Sequence, residues 1–332
     1  MRSNWFRLAG LGLLIFLIWR ADIGSLGAAL SETNLVLVAI AVALNLPHIF
    51  PKVLRWRGLL ASHQINYSLI QATLAHFSSL FIGFITPGRL GDFARVLHVS
   101  QDCGVSVSRA FSTVFIDRLF DLYAVLIMGA IAFVILGRDD YATILVQIVV
   151  IGTVFLSPLL FLVSNTAFSL AQNIGLRFGS WTGKLIGPDG WLTGVRDDIR
   201  TFTVRPLSVG AFLTAVSLAI FLGQAMLLAR ALDLSASLGE VTFAVTLGSL
   251  AALVPISISG LGTREAAIVT YLGTTGTSSE TALAFSLLLF LTFYLALGLI
   301  GAVAWLIKPM PIKGLKSMRP GKSQVERKEG AS

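Results

Sequence analysis

Charge is what this chain has least of. Lysine, arginine, aspartate and glutamate make up 13% of its 332 residues, about half the share in a soluble domain. Hydrophobic residues make up 55%, and mean hydropathy is +0.82. The chain is therefore an integral membrane protein. Cysteine is almost missing too. Cys103 alone excludes an internal disulfide and a cysteine-based metal site. The four histidines, His48, His63, His76 and His98, have no ligand spacing. No G-x-x-x-x-G-K-[ST] loop is present, so nucleotide hydrolysis is not expected to drive anything. No cofactor is implied. Net charge is +8, but the basic residues lie between apolar runs. There they set topology, and do not form the basic face of a nucleic-acid binder. The N-terminus has no small-residue cleavage site after Trp19-Arg20, which makes it a retained helix and not a signal peptide.

What is present is a series of apolar segments: 5–21, 34–54, 67–86, 108–136, 141–163, 207–230, 239–258 and 281–307. A crossing needs about 20 such residues. If all eight crossed, Arg89, Arg95 and Arg109 would lie outside with the loop carrying Arg177, Lys184, Arg196, Arg200 and Arg205. Basic residues favour the cytoplasmic side. Six crossings, with 67–86 and 239–258 entering and turning back, put these groups inside with Lys52, Arg55, Arg57 and the basic tail. Only Arg118 and Arg264 then lie at membrane depth. The expected architecture is all-α: a polytopic membrane protein of about eight hydrophobic helices, six crossings plus two re-entrant hairpins. One transmembrane domain, 1–308, would be followed by a basic, disordered cytoplasmic tail, 309–332. Both termini would be cytoplasmic, in the inner (plasma) membrane.

The two turning points are TPGRLGD (86–92) and ISGLGTRE (258–265). An ungapped shift of 172 residues places Gly88 on Gly260, Gly104 on Gly276, Ser106 on Ser278, Ala110 on Ala282 and Gly129 on Gly301. Chance supplies some matches in a chain this rich in glycine and alanine. The register nevertheless carries one interrupted segment onto the other, and in transporters such pairs point to the substrate site. Halves of about 1–137 and 138–308 would form an inverted repeat. Their glycine tips would meet near the midplane, each covering the other's irregular backbone.

Three polar clusters then claim a function. Around the first tip, Pro87 stops the helix and Gly88 and Gly91 permit the turn, next to Arg89, Asp92 and Arg95. The alternative for this cluster is a solvated salt bridge at the cytoplasmic surface. In FIDRLFDL, Asp117 and Asp121 lie on one helix face beside Arg118. At about 2.5–3.5 kcal/mol per charge in a span, they need partners, and Arg118 and the first-tip arginines are the nearest. The alternative is an ion-pair network that only closes the bundle. Past Gly260 and Gly262, a helix starting near Thr263 would aim its positive end and Arg264 at the cavity, with Glu265 in its first turn. The alternative is one self-neutralising pair. Arginines and backbone N–H groups at such depth suit a phosphate. The tryptophans Trp5, Trp19, Trp56 and Trp305 lie where an interfacial belt is expected. Residues 164–205 contain an amphipathic stretch for the cytoplasmic leaflet.

Four ordered elements carry a resemblance: LRWRGLL (54–60), TPGRLGDFARV, SVSRAFSTVFIDRLFDL and SGLGTREAAIV. They resemble the flippase-like transmembrane family of lysylphosphatidylglycerol synthase, with its R-W-R, P-G-R-x-G-E, E-R-x-x-D and G-x-G-x-R-E-like motifs. Asp92 and Asp117 stand where that family often has glutamate. S-I-S-G replaces a stretch where proline and glycine are common. The resemblance implies a lipid translocase or a helper of lipid assembly, of the stand-alone kind without an aminoacyl-transfer domain. An anionic membrane lipid is the expected partner, and a lipid-modifying enzyme a second. Two other readings remain open: an integral-membrane transferase with Asp92 or Asp117 as base, and a non-catalytic scaffold.

Overall fold

In the computed structural model, residues 13–19, 21, 23–86, 91, 94–136, 164–175, 190–253 and 259–309 are described. Everything regular among them is helical: α1 (Ile23–Ser31), α2 (Leu35–Ala43), α3 (Asn45–Ser62), α4 (Leu69–Ile85), α5 (Ala94–Cys103), α6 (Val107–Leu136), α7 (Asn165–Gly175), α8 (Trp191–Arg200), α9 (Val204–Ala231), α10 (Leu238–Ala251), α11 (Thr263–Thr274) and α12 (Ser279–Phe290). A π-helical stretch (Leu291–Ala296) then leads into α13 (Leu297–Ile307). The protein is an all-α polytopic membrane protein. Four stretches are long and apolar enough to cross a bilayer: Leu35–Ser62, Val107–Leu136, Val204–Ala231 and Ser279–Ile307. Pro51 lies inside the first of them. Segment 141–163, most of 5–21, and the tail beyond 309 lie outside the described residues.

The segments expected to turn back are short. α4 has 17 residues and α10 has 14, which at 1.5 Å per residue span roughly 26 and 21 Å, less than a bilayer core. After each, the chain doubles back. A β-carbon on Gly91 would fall 2.3 Å from the Ile82 carbonyl carbon, so the backbone at Gly91 lies directly against the end of α4. The Gly91 N–H reaches the Thr86 hydroxyl at 2.9 Å. Gly260 lies the same way against Ala252, and its φ of +75° is open only to a residue like glycine. α5 then packs on α4, and α11 on α10.

Local devices recur along the chain at nearly constant spacing. α3 and α9 both end in a Schellman-type turn: Ile65 N–H bonds to Leu60 O, and Leu234 N–H to Ala229 O. The left-handed residues there are Gln64 and Asp233, 169 apart. Four residues on, Ser68 and Ser237 close capping boxes with Gln71 and Glu240. Beyond the tips the spacing becomes 172. Gly104 and Gly276 both end helices at positive φ, and Ser106 and Ser278 both accept the N–H three residues ahead. A three-residue difference in length between the two turning segments accounts for the change in spacing. An ungapped shift therefore misses the earlier matches.

Packing is exchanged between the halves. α4 lies along α13, and α10 lies along α6. Each approach needs a glycine. A β-carbon at Gly301 would strike Phe77 O at 2.5 Å, and one at Gly129 would strike the Thr246 methyl at 2.7 Å. α3 and α9, equivalent in the same register, pack on each other at the centre. The π-helical stretch leaves carbonyls out of the ladder, and one of them, Thr292 O, takes the Asn45 amide at 2.7 Å. Gln224 holds Asn45 in turn, at 3.1 Å.

At one end of the bundle, Tyr67 Oη donates to Asp102 at 2.5 Å, and Lys308 pairs with both. This fastens the first hairpin to the end of the last span. Burial, and then the Asp102 carboxylate, push the Tyr67 phenol well up. Of the loop expected to lie on a leaflet, α7 and α8 are amphipathic. Phe168, Val195 and Ile199 are buried against α6, and Arg196 stacks on Phe168 at 4.5 Å.

Candidate functional site

Two arginine centres stand out, and they are built differently. The first gathers around Asp117, which is fully buried in the N-terminal half of α6. Its Oδ1 accepts from Arg55 Nε at 2.7 Å, and its Oδ2 from Arg95 Nη2 at 2.6 Å and Arg118 Nη2 at 3.1 Å. One turn on, Asp121 receives Arg55 Nη2 at 2.8 Å, Arg118 at 2.9 Å and Lys52 at 3.4 Å. Arg55 also reaches Thr214 Oγ1 on α9 at 2.7 Å and the Asp117 carbonyl at 3.0 Å. Arg95 shares a bond with His76 Nδ1 on α4 and lies 4.8 Å over the Trp56 ring. Gly210 makes room for Arg55 and Phe120. The centre thus ties α3, α4, α5, α6 and α9 together through paired, hydrogen-bonded charges, the form in which buried charge is tolerated.

The sequence expectations meet this geometry unevenly. Asp117, Asp121, Arg118 and Arg95 come together as expected. Arg55 was counted among the cytoplasmic topology-setting cations, yet it is 2% exposed and makes four hydrogen bonds in this centre. An R-W-R element was visible, but nothing in its spacing indicated a partner 62 residues away. Trp56, expected in an interfacial belt, is fully buried beneath Arg95 instead; it stands one residue from Arg55 on an inward face. Pro87, Gly88, Arg89 and Asp92 lie outside the described residues, so the expected Asp92–Arg95 pair does not enter this geometry.

The second centre is at the second tip. Ser259, Gly260 and Gly262 all have positive φ (52°, 75° and 85°), which turns the chain into α11 at Thr263. Glu265 occupies the third position of that helix and accepts the Gly262 N–H at 2.5 Å. Its other oxygen holds Arg264 through Nε at 3.1 Å and through Nη2. The Arg264 guanidinium lies 4.4 Å from the Tyr294 ring centre and 5.1 Å from that of Phe290. Both rings belong to the last span where it becomes π-helical. Gly248 on α10 lets Arg264 and Ile268 fit beneath it. The Ser259 hydroxyl donates to Phe84 O at 2.5 Å, so the second tip touches the helix that leads to the first. Among the described residues, no group of three or more histidine, cysteine, aspartate or glutamate side chains is placed to hold a metal.

The profile of the lysylphosphatidylglycerol synthase TM region matches residues 6–301. The chain belongs to that family. Its curated relatives include a UPF0104 membrane protein of Pyrococcus horikoshii, 24% identical over 179 residues, which are 53% of this chain and 52% of that protein. The match thus spans about half of that relative's length. A UPF0104 membrane protein of Methanocaldococcus jannaschii is 24% identical over 229 residues, 69% of this chain and 94% of that protein. Both arginine centres lie inside the stretch matched to the family.

Proposed function

We propose that this lysylphosphatidylglycerol synthase-family membrane protein is a lipid translocase. It would move an anionic phospholipid or lipid-phosphate head group between leaflets through a path between two inverted halves. The observation that carries the proposal is the meeting of the hairpins. Ser259 at one tip bonds to Phe84 on the approach to the other, with the Arg264–Glu265 pair beside them. Irregular backbone at membrane depth is stable only where protein or water covers it, and in transporters such broken segments frame the substrate. The recurrence of turns, caps and close-approach glycines at spacings of 169 and 172 supports an inverted repeat, as does the exchanged packing of α4 on α13 and α10 on α6.

In this reading the two centres divide the work. The Asp117 centre braces the halves: its acids are saturated by Arg55, Arg95 and Arg118. The tip arginines, Arg264 and Arg89, meet the head group. The protein performs no covalent chemistry. In this reading six crossings would put both termini in the cytoplasm and the protein in the plasma membrane, and a lipid-modifying enzyme would supply or consume the cargo.

The test is reconstitution into vesicles carrying fluorescent phosphatidylglycerol, phosphatidic acid, phosphatidylcholine or a polyprenyl phosphate in both leaflets, followed by chemical quenching of the outer leaflet. The protein should raise the quenchable fraction of at least one anionic lipid well beyond one half. Quenching that stops at one half for every anionic lipid would overturn the proposal. Conversion of a lipid to a new product would favour a transferase.

A further inference from the structure

The spacing of 169 that relates turns and caps also relates side-chain contacts between α3 and α9. Three positions on α3 stand 169 residues before three on α9: Asn45 before Thr214, His48 before Ser217, and Arg55 before Gln224. Hydrogen bonds join these six as a twofold relation between the helices would require. Ser217 Oγ donates to His48 O at 3.0 Å, a bond between equivalent positions. Arg55 donates to Thr214 Oγ1 at 2.7 Å. Gln224, the equivalent of Arg55, donates to Asn45 Oδ1, on the equivalent of Thr214, at 3.1 Å. The Asp117 centre therefore has a counterpart, built on Asn45 and Gln224, on the other side of His48 and Ser217.

The counterparts differ in strength. Around Arg55 the bonds run to carboxylates, and charge-assisted bonds are roughly twice as strong as neutral ones. At the spacing of 172 that holds beyond the tips, the equivalents of Asp117 and Asp121 are Leu289 and Phe293. The second contact is neutral. Gln224 Nε2 also donates to Ala41 O at 2.7 Å, and Asn45 Nδ2 to Thr292 O at 2.7 Å. Both carbonyls can only accept, which fixes the direction of each amide. Gln224 Oε1 is thereby left buried without a donor, and Thr292 Oγ1 is buried without a partner. Asn45, Gln224 and Thr292 are all fully buried. Unmade bonds weaken the shut contact, because entering water would make them. Helix regularity fails on this side as well. α2 gives way to α3 at Leu44, whereas the equivalent Leu213 lies inside unbroken α9. The π-helical stretch Leu291–Ala296 has its equivalent, 119–124, inside unbroken α6. The bond from Asn45 to Thr292 O joins the two irregular places.

Resting on the inverted-repeat translocase reading, we infer that Asn45, Gln224 and Thr292 form the releasable one of two equivalent closures. The last span parts from α3 and α9 at the amide contact, while the Asp117 centre stays shut. A path that opens to one side at a time needs a closure on each side of the substrate. Building one closure from paired charges and the other from neutral amides decides which gives way first.

Hydrogen–deuterium exchange of the purified full-length protein in lipid nanodiscs reads this opening apart from transport. A buried helix amide exchanges only when its bond opens and water reaches it. Exchange at Leu291–Ala296 should run roughly tenfold or more faster than at 119–124. Gln224→Leu removes both amide donations and should raise exchange at Leu291–Ala296 about tenfold further, leaving 119–124 unchanged. Thr292→Val replaces the unpartnered hydroxyl with a methyl of the same shape, and should slow exchange there several-fold. Opposite effects of two substitutions at one contact are not expected of a merely structural brace. Equal exchange at the two stretches, or none at either, overturns the inference, as does faster exchange at 119–124. So does a rise in Gln224→Leu shared equally by both stretches. If Gln224→Leu does not fold, the wild type and Thr292→Val decide the matter. Unequal exchange in a protein that moves no lipid between leaflets would leave the releasable closure standing and remove the translocase reading. Lipid exchange with equal deuterium exchange would do the reverse.

Discussion

The hydroxyl of Ser259 bonds to the carbonyl of Phe84 at 2.5 Å across 175 residues of sequence. It does so from a left-handed backbone, with φ of 52°. The residue therefore serves two ends, the turn and the junction of the hairpins. Ser259→Gly should lose the bond but ease the turn, and cost about 1 kcal/mol. Ser259→Val loses the bond and forces a β-branched residue into the left-handed region, and should cost about 2–3 kcal/mol. Thermal unfolding in detergent ranks the two. Equal cost would mean that the turn imposes no constraint.

The Asp117 centre predicts a graded series. Asp117→Asn leaves Arg55, Arg95 and Arg118 short of a carboxylate in a buried site, and should destabilise by about 3–5 kcal/mol. Asp121→Asn should cost distinctly less, because its side chain is 20% exposed and water can stand in. If Asp117→Asn left unfolding unchanged, the centre would not be a brace.

The close-approach glycines separate backbone from side-chain clashes. At Gly301 a methyl meets backbone, Phe77 O at 2.5 Å and Phe81 N at 2.9 Å, so Gly301→Ala should cost about 3 kcal/mol or more. At Gly129 a methyl meets only the Thr246 side chain at 2.7 Å. Gly129→Ala should therefore be milder, and Thr246→Ala should rescue it. Rescue is read as recovered folded yield, and its absence would show that α10 does not lie against Gly129.

Topology has its own check. In a Cys103→Ser background, Asp139→Cys and Ser332→Cys should label from opposite sides of right-side-out vesicles. Labelling from one side would remove the six-crossing arrangement.

The sequence made some of this legible for physical reasons. Apolar length identified α6, α9 and the last span almost to their ends, because a bilayer imposes length on a helix. Glycines beside prolines or serines marked both turns. Glu265 was readable as a first-turn carboxylate. Long-range partners were not readable. Arg55 finds Asp117 only because α3 packs on α6, and a charge near a span end looks alike whether it turns inward or outward. Trp56 misled for the same reason. The π-helical stretch lay hidden in LLLFLTFYLALG, an unbroken apolar run, and the Asn45 amide that bonds to Thr292 O comes from another helix. It is this stretch that brings Tyr294 to Arg264, so half of the second centre had no local signature.

The most direct measurement of the central claim is the rate of leaflet exchange of a fluorescent anionic phospholipid, compared in matched vesicles containing wild-type protein, Arg264→Gln or Arg89→Ala. Each variant is first shown to be folded by its unfolding temperature. The account predicts fast exchange with the wild type and near-background exchange with both variants. Wild-type rates in both variants would contradict it.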